Sequence, residues 1–154
     1  MLLMVLIHAG CAFDDDTGYY PVTKRAFLLV ADTTGVGKQL LLIEGNTLTR
    51  DWAQKAGMTG TLTAIASRED PLWMAAANPN QVLLADPKKD RLTRTFDTGD
   101  LRPDYLCAGD RYLLISDSAS RRIGFLHREK GDLTLLDLPE APGKIVYRSR
   151  KFYL

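Results

Sequence analysis

Residues 72–96 read LWMAAANPNQVLLADPKKDRLTRTF, and this stretch decides the fold class. Two short apolar runs are each closed by the turn-forming residues Asn, Pro or Asp, and a run that mixes Thr, Arg and Leu follows them. Short apolar runs bounded by turn residues are typical of β-strands, whereas a helix needs an apolar stripe every three or four residues. The stretch therefore predicts three consecutive strands. The first two are continuously apolar, which indicates that both of their faces are covered.

The same order of strands recurs along the chain. An apolar run and a polar turn begin at Phe27 (FLLVADTT), Trp73 (WMAAANPN) and Tyr112 (YLLISDSA). Each is followed by a second apolar run, then by a more polar run that contains Leu-Thr, then by a closing run, namely TLTAIAS, PDYLCAG or GKIVYRS. A unit of roughly 40–45 residues with four short strands is typical of a β-propeller blade. The sequence predicts an all-β fold over residues 25–154, a partial β-propeller of about three four-stranded antiparallel blades. A β-sandwich with coincidental spacing is the alternative.

The composition is that of a folded protein without a charge bias. The 154 residues are 45% hydrophobic and 25% charged, and the formal net charge is +1. Disordered and fibrous chains depart from such values. A nucleic-acid-binding surface needs a clear excess of basic residues. We therefore expect no nucleic-acid partner.

The first twelve residues, MLLMVLIHAGCA, are apolar or small except for His8. A helix needs roughly 20 residues to cross a bilayer, so this stretch is too short to span one, but it suits the apolar part of a secretory signal. Ala9 and Gly10 directly precede Cys11, and the chain turns acidic at residues 14–16. We predict a lipoprotein-type signal segment over residues 1–11 and a linker over residues 12–24. A buried N-terminal strand is the alternative.

Ala9, Gly10 and Cys11 resemble the lipobox of bacterial lipoproteins. The resemblance implies that the mature chain begins at Cys11, which carries the lipid and anchors the protein in the cell envelope. Because no aspartate directly follows Cys11, the sorting rule of that family implies the periplasmic side of the outer membrane. For Cys107 we expect a small buried apolar side chain. A disulfide between Cys11 and Cys107 is the alternative.

The repeat resembles that of the bacterial seven-bladed propellers with YVTN-type repeats. The resemblance extends over residues 26–154, and its nearest matches are LVAD at residues 29–32 and LISD at residues 114–117. It implies blades that stack face to face around a common axis. About three blades are fewer than the four to eight that close a ring. We therefore expect open blade edges, covered by another protein or by a second copy of the chain.

Asp32, Asp86 and Asp117 each follow an apolar strand and are the candidate metal ligands. In propeller lactonases such loop carboxylates hold a divalent metal ion, and a resemblance to those enzymes implies the same role here. The alternative is that the three aspartates cap turns through their own side chains, and with it we expect no metal or other cofactor. His127 is the one candidate general base outside the signal segment. Its place at the end of an apolar run indicates a surface residue instead.

These observations favour a lipid-anchored envelope protein that binds another protein through propeller-like blades and carries out no catalysis. No nucleophile elbow or zinc-ligand set accompanies His127 in the sequence. Two alternatives stay open. One is a metal-dependent propeller hydrolase that uses the three aspartates, and the other is a truncated propeller without a function of its own.

Overall fold

The computed structural model describes residues 25–31, 38–44, 46–67 and 71–154. The predicted signal segment, Cys11, the linker and Asp32 lie outside these ranges. The described part of the chain consists of strands and one short helix, in the order β1 (Arg25–Ala31), β2 (Lys38–Glu44), β3 (Thr47–Thr49), α1 (Trp52–Lys55), β4 (Thr61–Ser67), β5 (Leu72–Ala77), β6 (Gln81–Asp86), β7 (Arg91–Asp97), β8 (Tyr105–Ala108), β9 (Tyr112–Asp117), β10 (Arg122–His127), β11 (Leu133–Asp137), β12 (Val146–Arg148) and β13 (Lys151–Tyr153).

Strands that follow one another along the chain pair antiparallel in the same sheet. The second sheet (β4-β5-β6-β7) and the third sheet (β8-β9-β10-β11) are four-stranded meanders. The first sheet contains β1-β2-β3, and β12 and β13 form a terminal hairpin. The prediction of an all-β fold built from four-stranded antiparallel sheets is confirmed.

The second strand of each four-stranded sheet is covered on both faces. Trp73 and Met74 are adjacent in β5 and both are buried, yet they belong to different hydrophobic clusters. Leu113 and Leu114 of β9 divide in the same way. Because successive residues of a strand point to opposite faces, one layer packs on each side of these sheets. This is the stacking of propeller blades, and it explains the continuously apolar runs in the sequence.

Three hydrophobic clusters fill the spaces between the four successive layers. The first lies between the first and second sheets and includes Leu40, Leu42, Met74 and Leu83. The second lies between the second and third sheets and includes Trp73, Val82, Leu113 and Ile115. The third lies between the third sheet and the terminal hairpin and includes Leu114, Ile123, Ile145 and Phe152. Each fully buried Leu, Ile or Val side chain contributes about 1.5–3 kcal/mol, so the stacking of the layers is the main stabilising term.

Helix α1 takes the outermost position of the first unit. The Leu92 N–H at the start of β7 donates to the carbonyl of Ala56 at 3.0 Å, and Trp52 Nε1 donates to Asp90 Oδ1 at 3.0 Å. The helix therefore lies beside β7, the outermost strand of the next sheet. The more polar run that contains Leu-Thr in the first unit is NTLTRDW, residues 46–52. Its prediction as a strand was wrong beyond Thr49, because the side chains of Trp52 and Ala53 turn inward and are buried in the first cluster.

The first unit thus runs β1-β2-β3-α1, and the predicted unit boundaries were wrong by one strand. TLTAIAS, PDYLCAG and GKIVYRS were assigned to the ends of units. The first two of these hold β4 and β8, which open the second and third sheets, and the third holds β12, the first strand of the terminal hairpin. Phe27, likewise, lies in the first strand of its sheet, whereas Trp73 lies in the second. When the turns between all strands are similar, the sequence of a repeat does not show which strand begins each sheet. The pairing of the strands decides this.

Aromatic rings hold the terminal hairpin against the third sheet. Phe152 meets Phe125 edge to face at 6.5 Å between ring centroids, and Tyr147 Oη donates to Asp110 Oδ2 at 2.9 Å. A Cβ atom on Gly109 would lie 2.6 Å from Phe152 Cζ and 2.9 Å from Tyr147 Cε2. Only glycine leaves room at this position for both rings.

We expect Leu113→Ala to lower the free energy of unfolding by about 2–5 kcal/mol, because the side chain is fully buried between two sheets. Leu135→Ala is the matched control, since Leu135 lies in the outermost strand β11 and is 42% exposed. We expect the control to cost less than about 1 kcal/mol. Chemical denaturation monitored by circular dichroism measures both values. Equal losses for the two variants would contradict the stacked arrangement.

Candidate functional site

Asp117 ends β9 and is 2% exposed. Its Oδ2 accepts the Arg102 N–H at 2.9 Å, its Oδ1 accepts the Ser120 N–H at 3.0 Å, and Arg122 Nη2 lies 4.0 Å from Oδ2. Burial raises the pKa of Asp117, but the hydrogen bonds from Ser120 and Arg102 and the charge of Arg122 outweigh it, so that the pKa lies below its ordinary value. The carboxylate therefore stays charged and joins the β9–β10 turn to the segment that leads into β8.

Asp86 ends β6 and closes a different turn. Its Oδ1 accepts the Lys88 N–H at 3.0 Å, and Lys89 Nζ lies 3.4 Å from Oδ2. Desolvation raises the pKa of Asp86, but the hydrogen bonds from Lys88 and Lys89 and the charge of Lys89 outweigh it and lower the pKa overall. These contacts are those of a turn-capping aspartate.

The structure does not bring Asp86 and Asp117 together. Asp86 ends the third strand of its sheet and Asp117 ends the second strand of its own, and these strands run in opposite directions. The two carboxylates therefore lie at opposite ends of the strands, on opposite sides of the stack. Asp32 lies outside the described residues. Within the described ranges, no three His, Cys, Asp or Glu side chains come together as a metal site would require.

His127 ends β10, where its ring takes part in a turn. Its Nδ1 accepts the N–H groups of Glu129 at 3.3 Å and Lys130 at 3.2 Å, which places the ring proton on Nε2. The ring also meets Tyr112 edge to face, with 5.2 Å between centroids. This position is equivalent to that of Asp86 in the second sheet, because both side chains cap the turn after the third strand. His127 is a structural residue at a strand end, and the lone pair that a general base would use is occupied.

Cys107 lies in β8 and packs half-buried against the third cluster. It therefore behaves as the small apolar side chain that the sequence indicates. Because Cys11 lies outside the described residues, its lipidation and the alternative disulfide with Cys107 stay predictions.

The first sheet has an outer apolar face that sequence reasoning did not find. Cross-strand pairing places Leu28 opposite Leu41 and Ile43 opposite Leu48, and the alternation along β2 puts all four on one face. Ile43 is 37% and Leu48 49% exposed, and none of the four belongs to a hydrophobic cluster of the described residues. Their neighbours Leu40 and Leu42 point the other way into the first cluster. The apolar run alone carried no signal of which leucines face outward.

The terminal hairpin also has an exposed outer face, at the other end of the stack. Val146 and Tyr153 pair across the hairpin and are 50% and 52% exposed, whereas Phe152 points back to the third sheet. The exposed Arg148–Lys151 pair lies on the same outer face as Val146 and Tyr153, so this face is partly apolar and partly cationic, whereas the outer face of the first sheet is apolar. We take these two faces as the candidate functional site, and name them the first end face (Leu28, Leu41, Ile43 and Leu48) and the second end face (Val146, Tyr153, Arg148 and Lys151).

No protein-family model matches this sequence, and no curated protein matches it. Among solved structures, the chain is similar to a chain of hydrazine synthase from Kuenenia stuttgartiensis, with a TM-score of 0.59 and 12% sequence identity. The match covers 77% of this chain and 35% of that chain, so this protein spans about a third of the length of its structural neighbour. At this identity the likeness shows a shared β fold and nothing more. The described residues include no helix with the length and apolar character needed to cross a membrane.

We expect Asp117→Asn to cost about 1.5–3 kcal/mol of folding free energy at neutral pH, because the variant loses hydrogen bonds to a charged acceptor. The folded-state pKa of Asp117 lies below its value in the unfolded chain, so its contribution is present above the ordinary Asp pKa of about 3.9 and is lost as the pH falls through the lower, folded-state pKa. The stability difference between the wild type and Asp117→Asn should therefore shrink below about pH 4.

Urea denaturation at pH 7 and at stepwise lower pH measures this difference. Asp132→Asn is the matched control, because Asp132 is exposed in the β10–β11 turn. We expect the control to change stability little at any pH. A cost for Asp117→Asn that does not vary with pH would contradict the charged role of this carboxylate.

Proposed function

We propose that this chain is a lipid-anchored protein of the bacterial cell envelope that binds another protein through its stacked, blade-like sheets and performs no catalysis. The observation that carries the proposal is the set of exposed apolar side chains on the outer faces of the first sheet and the terminal hairpin, within the described residues. Contiguous apolar surface on a folded protein marks a contact site for another protein or a membrane. Ile43, Leu48, Val146 and Tyr153 contribute such surface at the two ends of the stack.

The polar side chains of the chain support a binding role over a catalytic one. Asp86, Asp117 and His127 are each engaged by backbone N–H groups of the turns that they close. A general base or a metal ligand needs lone pairs directed at a substrate or an ion. In these three residues, Asp86 Oδ1, both carboxylate oxygens of Asp117 and His127 Nδ1 accept backbone N–H groups of the chain itself, which supports a structural role for each.

The anchor in this proposal rests on the lipobox-like residues Ala9, Gly10 and Cys11. Residues 12–24 then separate the lipid from the start of β1 at Arg25. At about 3.4 Å per residue, this linker reaches roughly 45 Å when fully extended, so the sheets can work at a distance from the membrane surface. We propose the periplasmic face of the outer membrane as the location.

Metabolic labelling with palmitate tests the anchor. We expect the wild-type chain, produced in a bacterial host, to carry the label and to sediment with membranes. The Cys11→Ser variant should lose both properties, whereas the control Cys107→Ser should keep them, because Cys107 lies within β8. Equal labelling of the wild type and Cys11→Ser would refute the anchor.

Site-specific photo-crosslinking in living cells tests the binding role. A photoreactive phenylalanine analogue at position 43 or 153 should yield a discrete heavier product, because both positions lie on an end face. Thr95 of the outermost strand β7 is the control position, since it is exposed but lies on neither end face. Equal products at all three positions, or none at 43 and 153, would count against protein binding through the end faces.

A further inference from the structure

The outermost strands of the first three sheets differ in how their outer edges are protected. The edge of β3 is three residues long, and so short a strand offers little backbone for pairing. The edge of β7 is interrupted by a bulge at Thr93. Helix α1 also covers the start of β7, where the Leu92 N–H donates to the carbonyl of Ala56 at 3.0 Å. Neither strand therefore presents a long and regular edge.

Strand β11 does present a regular edge. Its five residues pair with β10 without a change of register. The Leu138 N–H donates to the carbonyl of Arg121 at 2.8 Å, and bonded and non-bonded pairs alternate along an antiparallel ladder. The N–H and C=O groups of Leu133, Leu135 and Asp137 therefore point away from β10, and no strand of the described residues pairs with them. We call this row of outward backbone groups the β11 edge.

The side chains along β11 are apolar in the middle and acidic at both ends. Leu135 is 42% and Leu136 50% exposed, and the two point to opposite faces of the sheet. Exposed carboxylates of Asp132 and Asp137 flank the uncharged residues 133–136. Proteins protect exposed edges with charges, bulges or a covering element. Between its two carboxylates the described β11 edge carries none of these, so its backbone is open to another strand.

We propose that the β11 edge binds an extended segment of another protein as a fifth strand of the third sheet, and that this segment carries apolar residues between two basic ones. The backbone hydrogen bonds of an added strand supply affinity, and its side chains supply specificity. Opposite charges on paired strands stabilise the pairing, so Asp132 and Asp137 select Lys or Arg at the two ends of the segment. This surface is the rim of a sheet and is separate from both end faces.

A second copy of β11 is a poorer occupant of this edge. The antiparallel register that pairs all four residues 133–136 with those of another copy sets Leu133 opposite Leu136. The same register sets Asp132 opposite Asp137 at both ends of the pair. Like charges that lie directly opposite each other destabilise paired strands. The charge pattern therefore favours a basic segment over self-pairing.

A synthetic peptide with the sequence KVVTVK and blocked termini is the probe. In antiparallel register its six residues lie opposite residues 132–137, with a lysine opposite each carboxylate. The peptide EVVTVE reverses the charges. A third peptide is KVVTVK with N-methyl groups on its third and fifth residues, whose N–H groups face β11 in this register. Its matched control carries the N-methyl groups on the second and fourth residues, whose N–H groups face away.

Two changes to the protein complement the peptides. Leu135→Pro removes an outward N–H from the β11 edge, a change that edge strands tolerate, and Leu135→Ala is its control because it keeps the N–H. Asp132→Lys with Asp137→Lys reverses the flanking charges at two exposed positions. All proteins are full-length chains that also carry Cys11→Ser, so that the result does not depend on lipidation. Circular dichroism confirms that each variant is folded.

Nuclear magnetic resonance of the ¹⁵N-labelled protein, titrated with peptide up to about 5 mM, detects association as weak as this concentration. We expect KVVTVK to shift the backbone amide signals of β11, and EVVTVE to bind at least about fivefold more weakly. Methylation of the third and fifth residues should abolish binding, whereas the control peptide should bind. Leu135→Pro should lose binding and Leu135→Ala should keep it. The protein with both lysine substitutions should prefer EVVTVE.

Three results would overturn the proposal. No shift of the β11 signals with KVVTVK would show that the edge does not accept such a strand. Equal binding of the two methylated peptides would exclude backbone pairing, a comparison that does not depend on how well Leu135→Pro folds. Signals of β11 that move with protein concentration alone would show that a second copy occupies the edge. None of these results bears on palmitate labelling or on crosslinking at positions 43 and 153, so the proposed function can stand or fall separately.

Discussion

Burial of both faces of the second strands is the constraint on which this structure depends. A single four-stranded sheet leaves both faces in water, and for β5 it would expose both Trp73 and Met74. The sheets therefore cannot be stable one at a time. Stacking resolves this for each inner layer, because the layer before and the layer after supply the missing apolar surface. The same logic leaves the two outermost layers of the described chain with one face each that has no counterpart.

The sequence was sufficient to predict the fold class because short apolar runs and turn residues are local signals. The number of strands in a unit and the burial of β5 and β9 on both faces followed from the same pattern. The assignment of strands to sheets did not follow, because pairing depends on contacts between distant residues. Helix α1 also escaped prediction, since Trp52 and Ala53 are drawn inward by a cluster to which the first and second sheets both contribute. Tertiary burial overrides a local preference of so few residues.

The candidate site shows the same division between local and distant information. The turn-capping alternative for aspartates that follow strands was available from local chemistry, and the contacts of Asp86 and Asp117 agree with it. The end faces were not available, because Leu40 and Leu41 are indistinguishable in a run of four apolar residues. A one-residue shift of register exchanges the buried and the outward side of a strand. Only the pairing of β1 with β2 and the position of the second sheet decide which leucine is exposed.

The outermost strand β7 and the first end face differ in whether a charged side chain covers their apolar surface. An unpaired strand edge invites association with other chains, and proteins commonly guard it with charged residues. In β7, Arg94 lies over the ring of Phe96 at 4.6 Å and also donates to the carbonyl of Glu129 at 2.8 Å, so a cation covers apolar surface at this edge. On the first end face, by contrast, cross-strand pairing sets Leu28 against Leu41 and Ile43 against Leu48, and none of these four described side chains is charged. The second end face does carry cations, Arg148 and Lys151, so within the described residues the first end face is the more apolar of the two.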